Sequence, residues 1–290
     1  MRVGLFLGCT VPVRAMNYEQ SFRRLALELQ LEIVDVTDFS CCGFPAKSIK
    51  EEAGLLMALA NLALAEKNGI RDLVTLCNAC TENLTEANYL WKKDQGLKEK
   101  LEPLLHSLGR TYSGSVKVRH AARFLFEEFK EVVAQRIKRR LEPLRLYPYT
   151  GCHYARPSEI YESFDNPEAP GTLTELLKLT GAQIISGQNA CCGGAVLGFK
   201  EETSLKMASI TLSEAREEGA DAMVLICPFC DIMFEQNQKK IEKLLNVNFE
   251  LPIVYLLQVL GLALGIPRDE LGFNLNRMKM DNFWSKLEGL

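Results

Sequence analysis

Residues 72–80 read Asp-Leu-Val-Thr-Leu-Cys-Asn-Ala-Cys, and residues 222–230 read Ala-Met-Val-Leu-Ile-Cys-Pro-Phe-Cys. Each is a short apolar run ending in a C-x-x-C pair, which predicts a buried strand whose carboxyl end carries two thiols. The two stretches are 150 residues apart, and the same offset relates Cys41-Cys42-Gly43 to Cys191-Cys192-Gly193. Further upstream, Leu7-Gly8-Cys9 answers Thr150-Gly151-Cys152 at an offset of 143. The second copy therefore carries seven extra residues, which fit the Pro- and acid-rich stretch Asp-Asn-Pro-Glu-Ala-Pro-Gly at 165–171. All ten Cys fall into two sets of five, so the chain is a duplicated module.

Working outward, each copy alternates strand and helix. In the first, 2–7, 31–36 and 72–76 read as strands, with amphipathic helices at 18–30 and 51–67 and another from Cys80 onward. In the second, 144–147, 183–185 and 222–226 read as strands, and 172–179, 201–218 and 229–245 as helices. Alternation of this kind implies parallel sheets with right-handed crossovers. The expected fold is α/β: two duplicated Rossmann-like parallel-sheet subdomains related by pseudo-twofold symmetry. The division falls at 1–143, a first cysteine-rich domain plus a helical linker, and 144–290, a second domain plus a C-terminal helix. The linker includes a helix at 121–141 with the basic stretch Arg136-Ile137-Lys138-Arg139-Arg140, read as a solvated face. In open parallel sheets ligands bind at the carboxyl ends of the strands, and that edge is where each set of five thiols is expected to converge.

Composition narrows the function. With 290 residues, 47% hydrophobic and 24% charged, the chain is long enough for about two ordinary globular domains. Lys and Arg number 34 against 37 Asp and Glu, so the basic excess of a nucleic-acid or anionic-membrane binder is missing. The apolar run 253–266 is shorter than the roughly 20 residues of a membrane span and reads as a buried core helix. No export signal is evident, so the expected location is the cytoplasm, where thiols stay reduced and ten Cys point to metal or redox chemistry.

A structural zinc needs four ligands, usually two C-x-x-C pairs, and adjacent Cys chelate one tetrahedral ion poorly. A thioredoxin-type dithiol uses one C-x-x-C and leaves the other Cys unexplained. An iron–sulfur cluster, several ångströms wide and held by thiolates, accounts for all ten. The full pattern is C-x31-CC-x34-C-x-x-C followed by C-x38-CC-x34-C-x-x-C. With Phe6-Leu7-Gly8-Cys9, Gly151-Cys152-His153-Tyr154 and the tail Gln258-Val259-Leu260-Gly261, it resembles the tandem cysteine-rich, or CCG, domains of the B-type subunit of heterodisulfide reductase.

That resemblance implies two [4Fe-4S] clusters of non-cubane type, one per domain. Cys9, Cys41, Cys42, Cys77 and Cys80 would hold one; Cys152, Cys191, Cys192, Cys227 and Cys230 would hold the other. It implies a catalytic subunit that reduces a disulfide to two thiols between the clusters, for example CoM-S-S-CoB or a bacterial equivalent. The chain carries neither a ferredoxin-type Cys run nor a G-x-G-x-x-G fingerprint. The electron-supplying partners implied are the two other components of such a complex, a ferredoxin-like C-type subunit and a flavin-containing A-type subunit. His153 is placed to donate a proton or to hydrogen-bond a cluster, and Lys47, Arg156 and Lys200 follow the ligand loops and could meet anionic substrate groups. His106 and His120 have no Cys neighbour in sequence and read as structural. A second function class stays open: an electron-relay iron–sulfur subunit of a larger oxidoreductase, with no substrate site of its own.

Overall fold

Two four-stranded parallel sheets carry the chain, and the computed structural model describes residues 1–188 and 190–289. The first sheet is built from β1 (Arg2–Phe6), β2 (Glu32–Asp35), β3 (Asp72–Thr75) and β4 (Lys117–His120), in the order β2-β1-β3-β4. The second uses β5 (Arg145–Tyr149), β6 (Gln183–Ile184), β7 (Ala222–Leu225) and β8 (Ile253–Tyr255), in the order β6-β5-β7-β8. The duplication seen in the Cys spacing is thus a duplication of topology. The central strands β1, β3, β5 and β7 bury successive residues, and so both faces, along most of their length, which is why they read as largely continuous apolar runs. Registers match as well: Thr75 pairs with His120 in the first sheet, and Leu225 with Tyr255 in the second.

The fourth strand of each sheet comes from a stretch read differently in the sequence. β4 arises just ahead of the linker helix, which runs Ala121–Arg136. β8 is the start of the apolar run 253–266, which splits into a strand and the helix Leu256–Ala263. The helix expected over 229–245 is interrupted: Pro228–Asp231, a π-helical turn Ile232–Gln236, then Gln238–Leu245. In the first copy the same segment is one α-helix, Asn78–Lys93.

The halves exchange packing. The helix Met16–Glu28 of the first lies on Leu256–Ala263 of the second, and Ala121–Arg136 lies on Thr172–Leu179. Met16–Glu28 buries Tyr18, Phe22 and Leu25 in doing so, and Leu256–Ala263 is buried along its whole length. Each such apolar side chain contributes about 1.5–3 kcal/mol. The basic stretch at the end of Ala121–Arg136 does not face only water. The backbone N–H groups of Lys138 and Arg139 donate to the Ala263 carbonyl of the second half at 2.8 and 3.0 Å, and its side chains reach Glu28 of the first. Arg136 Nη1 donates to the Glu28 carbonyl at 2.6 Å, and Lys138 pairs with the Glu28 carboxylate at 3.2 Å. Both cations sit at the C-terminal end of Met16–Glu28, where the helix dipole favours them. Among the described residues no helix is long and apolar enough to cross a membrane.

Candidate functional site

Three loops at the carboxyl edge of each sheet bring the thiols together. β3 ends at Thr75, and Cys77 in extended conformation caps the helix Asn78–Lys93, with Cys80 in its first turn. Cys227 caps Pro228–Asp231 with nearly the same backbone angles, φ −135° and ψ 126° against −144° and 127°. A helix N-terminus favours a thiolate, so these C-x-x-C turns are suited to anionic sulfur. The Cys-Cys loops turn at Gly43 (φ 92°) and Gly193 (φ 76°), left-handed positions that glycine adopts without steric penalty. At Gly43 a Cβ would also lie 2.3 Å from the Gly54 carbonyl oxygen. The first loops pass close to sulfur: a Cβ on Gly8 would stand 2.8 Å from Cys80 Sγ, and one on Gly151 3.3 Å from Cys230 Sγ.

All ten Cys are free thiols. Cys42, Cys77, Cys80, Cys192, Cys227 and Cys230 are buried, while Cys9, Cys41, Cys152 and Cys191 reach solvent to differing degrees. Cys41 Sγ lies 4.0 Å from Cys9 Sγ. Crowding divides the thiols into donors and acceptors. Cys42 is pulled down to about 4 by hydrogen bonds from Cys41 and Cys80, which with the Phe44 N–H outweigh burial. Cys227 is lowered by Cys230 and, across the seam between the halves, by Cys77. The two C-x-x-C turns therefore meet, and Asn78 Nδ2 fastens the first of them to the Cys152 loop of the other half by donating to the Thr150 carbonyl at 2.7 Å. Among the described residues no three Cys, His, Asp or Glu side chains converge as a single-ion site. A multi-iron cluster does not require its ligands to meet at one point. Soft thiolates, backbone N–H groups aimed at sulfur and backbone stripped of Cβ beside it suit an iron–sulfur group.

The remaining sequence candidates divide. His153 lies at the seam with its ring edge-on to Phe44 of the other half, centroids 4.9 Å apart. Burial lowers its pKa, with Cys227 and Cys191 opposing. Lys47 is engaged by two carboxylates, Glu82 at 3.1 Å and Glu86. Arg156 donates to the Pro167 carbonyl at 2.7 Å and pairs with Glu168, both in the inserted stretch. Lys200 is exposed at the start of Glu201–Glu217. His106 is exposed in the last turn of Gln95–Ser107.

His120, by contrast, belongs to the site. It ends β4, its Nδ1 accepts from the Ala122 N–H at 3.1 Å, and its Nε2 bonds the Ile226 carbonyl at 2.9 Å, one residue before Cys227. Tyr18 Oη donates to the same carbonyl at 3.2 Å. The sequence offered no Cys neighbour to reveal this, since the partner is 106 residues away. Two buried carboxyls also escaped the sequence reading, Asp231 and Glu235 beside the second C-x-x-C, pushed up by burial to about 6 and about 8.

Fold and thiols together define a class: an α/β protein built on a duplicated cysteine-rich module, five thiols to each copy. The cysteine-rich domain family, CCG, matches residues 3–85 and 147–235. The chain is 33% identical to the B-type subunit of the "Ferredoxin/F(420)H(2)-dependent CoB-CoM heterodisulfide reductase" of Methanosarcina acetivorans, over 99% of this chain and 97% of that one. It is 31% identical to a protein of Archaeoglobus profundus described as like the B-type subunit of heterodisulfide reductase, covering 93% and 97%. At 29% it is similar to the "8-methylmenaquinol:fumarate reductase membrane anchor subunit" of Wolinella succinogenes, covering 93% and 95%. A solved structure of a hypothetical protein from Helicobacter pylori shares the fold, with a TM-score of 0.81 at 15% identity, covering 96% of this chain and 52% of that one. The chain belongs to the family of heterodisulfide reductase B-type subunits, whose members are iron–sulfur subunits of oxidoreductase complexes.

Proposed function

We propose that this chain is the catalytic iron–sulfur subunit of a heterodisulfide reductase-type complex, reducing a disulfide to two thiols at the seam between its halves. The observation that carries the reading is the meeting of two complete five-thiol sets at Cys77 and Cys227. A carrier of electrons needs one cluster near each docking surface; cleavage of one bond into two sulfurs calls for two sites face to face. The reaction takes up two electrons and two protons and releases two thiols. We assign Cys9, Cys41, Cys42, Cys77 and Cys80 to one [4Fe-4S] cluster and Cys152, Cys191, Cys192, Cys227 and Cys230 to the other, both non-cubane. When bound, such clusters supply one electron each and a Lewis-acidic iron for each sulfur.

The chain's own residues supply the rest. The helix N-termini at Cys77 and Cys227 hold thiolate ligands. His153, beside the seam, is the proton donor to a departing thiolate: burial disfavours its charged ring, and negative sulfur at Cys227 and Cys191 favours it. Electrons arrive from a ferredoxin-like C-type subunit, and before it a flavin-containing A-type subunit, in a cytoplasmic complex. Residues 1–143 and 144–290 are the two domains.

Protein purified without oxygen should contain about eight iron and eight sulfide per chain, as two four-iron clusters require. Stoichiometric zinc without sulfide overturns the assignment. The relative in a fumarate reductase favours a second reading, an electron relay. Viologen-driven disulfide reduction by the complex separates the two: Cys77→Ala and Cys227→Ala should each abolish it, and substantial activity in either supports the relay.

A further inference from the structure

The pseudo-twofold gives the seam two ends, and they are built differently. At one end Phe44, just after Cys42, stands edge-on against His153, just after Cys152, with ring centroids 4.9 Å apart. The repeat offsets pair Phe44 with Gly194 and His153 with Thr10, so where one end has two rings the counterpart positions carry a residue without a side chain and a short hydroxyl. The loops themselves are alike: residues 42–50 and 192–200 have the same sequence of buried, half-buried and exposed positions. What differs is the aromatic plug.

Two further observations agree. Counterpart thiols are unequally exposed: Cys9 is exposed where Cys152 is half-buried, and Cys191 is exposed where Cys41 is half-buried. In both pairs the more accessible thiol belongs to the Gly194–Thr10 end. The Phe44 end is also braced by charge, since Lys47 bridges Glu82 and Glu86 beneath it. The counterparts of these three residues are the uncharged Leu197, Ile232 and Gln236, and the contact at that end is a neutral-acceptor one at its exposed rim, Arg14 Nη1 donating to Gln236 Oε1 at 3.1 Å.

We infer that the paired thiol sites are reached from one side only, through an opening between Gly194 and Thr10, with Phe44 against His153 closing the other. The disulfide of the proposed reaction enters there; that identity rests on the function proposed above, whereas the opening rests on the two ends of the seam alone. His153 then lies at the closed end, half-buried against Phe44.

Gly194 tolerates a side chain. Its φ is outside the left-handed region, and a Cβ would meet Cys192 Sγ, Met233 Cγ and the Phe229 carbonyl oxygen, each at 3.5 Å, an ordinary contact distance. The test therefore installs the plug of one end in the other. Holoprotein, wild type and Gly194→Phe, is incubated with bathophenanthroline disulfonate, a bulky iron chelator, and the rate of iron extraction is followed. Phe44→Ala is run beside them. We expect Gly194→Phe to slow extraction at least fivefold and raise the KM for disulfide at least tenfold, and Phe44→Ala to speed extraction at least threefold. An unchanged extraction rate in Gly194→Phe with full iron content overturns the one-sided opening. If that variant does not assemble its clusters, Phe44→Ala decides alone, and an unchanged rate there overturns it. Slowed extraction in Gly194→Phe, in a complex whose wild type turns over no disulfide, supports the opening and removes the disulfide from it.

Discussion

His120→Leu tests whether the first half holds the second in place. His120 makes two buried hydrogen bonds, one capping Ala121–Arg136 through Ala122 N–H and one to the Ile226 carbonyl. Leucine fills similar space and makes neither. Loss of a cap costs about 1 kcal/mol, and loss of the second bond about another, rising if the Ala122 N–H stays unpaired. The variant should be less stable by about 2–3 kcal/mol at pH 7. The pH dependence makes the test specific. Because Nδ1 accepts, the proton sits on Nε2, and burial pushes the ring's pKa down to about 4 from 6.5. The unfolded chain takes up a proton below pH 6.5 while the folded ring stays neutral, so stability is lost as pH falls from 6.5 towards 4. Between pH 7 and pH 5 this amounts to about 2 kcal/mol in the wild type and nothing in the variant. Urea unfolding of the anaerobic holoprotein at both pH values should therefore show the gap between the two proteins nearly closing at pH 5. Parallel losses in wild type and variant would refute the buried neutral clamp.

Gly43→Ala should cost about 2–4 kcal/mol, since it combines a left-handed φ with a Cβ 2.3 Å from the Gly54 oxygen, and should lower bound iron by about half; iron analysis of the purified variant checks it. Lys47→Met leaves the buried Glu82 carboxylate without its cation and should destabilise by about 3 kcal/mol, whereas Lys200→Met, at an exposed position, should change stability by less than about 0.5 kcal/mol in the same unfolding assay. Cys42→Ser and Cys192→Ser should each remove the spectroscopic signal of one cluster and keep that of the other; loss of both signals from either substitution would mean that the two sets are not independent.

Much of the architecture was legible because cysteine is conspicuous and its register is rigid. The offset of 150 residues placed β3 and β7, and the apolar runs ahead of each C-x-x-C placed their ends to within a residue. The fourth strands were illegible for opposite reasons. β4, Lys-Val-Arg-His, is short and charged, and its Arg119 is buried only because Asp72, Glu127 and Glu128 surround it. β8 is lost inside a longer apolar run, where no periodicity separates strand from helix. The broken helix after Cys227 was hidden as well, since a π-turn changes no residue type that a helical pattern would register. Within the site, the thiols could be read from spacing, whereas the contacts of His120, Tyr18 and Phe44 across the seam depend on how the halves face one another. No pattern within either copy encodes that.

The exchange of helices between the halves has a consequence for biosynthesis. The apolar face of Met16–Glu28 emerges well ahead of its partner, Leu256–Ala263, which follows about 230 residues later. At roughly 5–20 residues per second, Phe22 and Leu25 wait on the order of 10–50 s for cover. The carbonyl that His120 and Tyr18 grip, at Ile226, is likewise among the late arrivals. Until then the apolar face of Met16–Glu28 lacks its cover and the seam between the two sets of thiols is unmade.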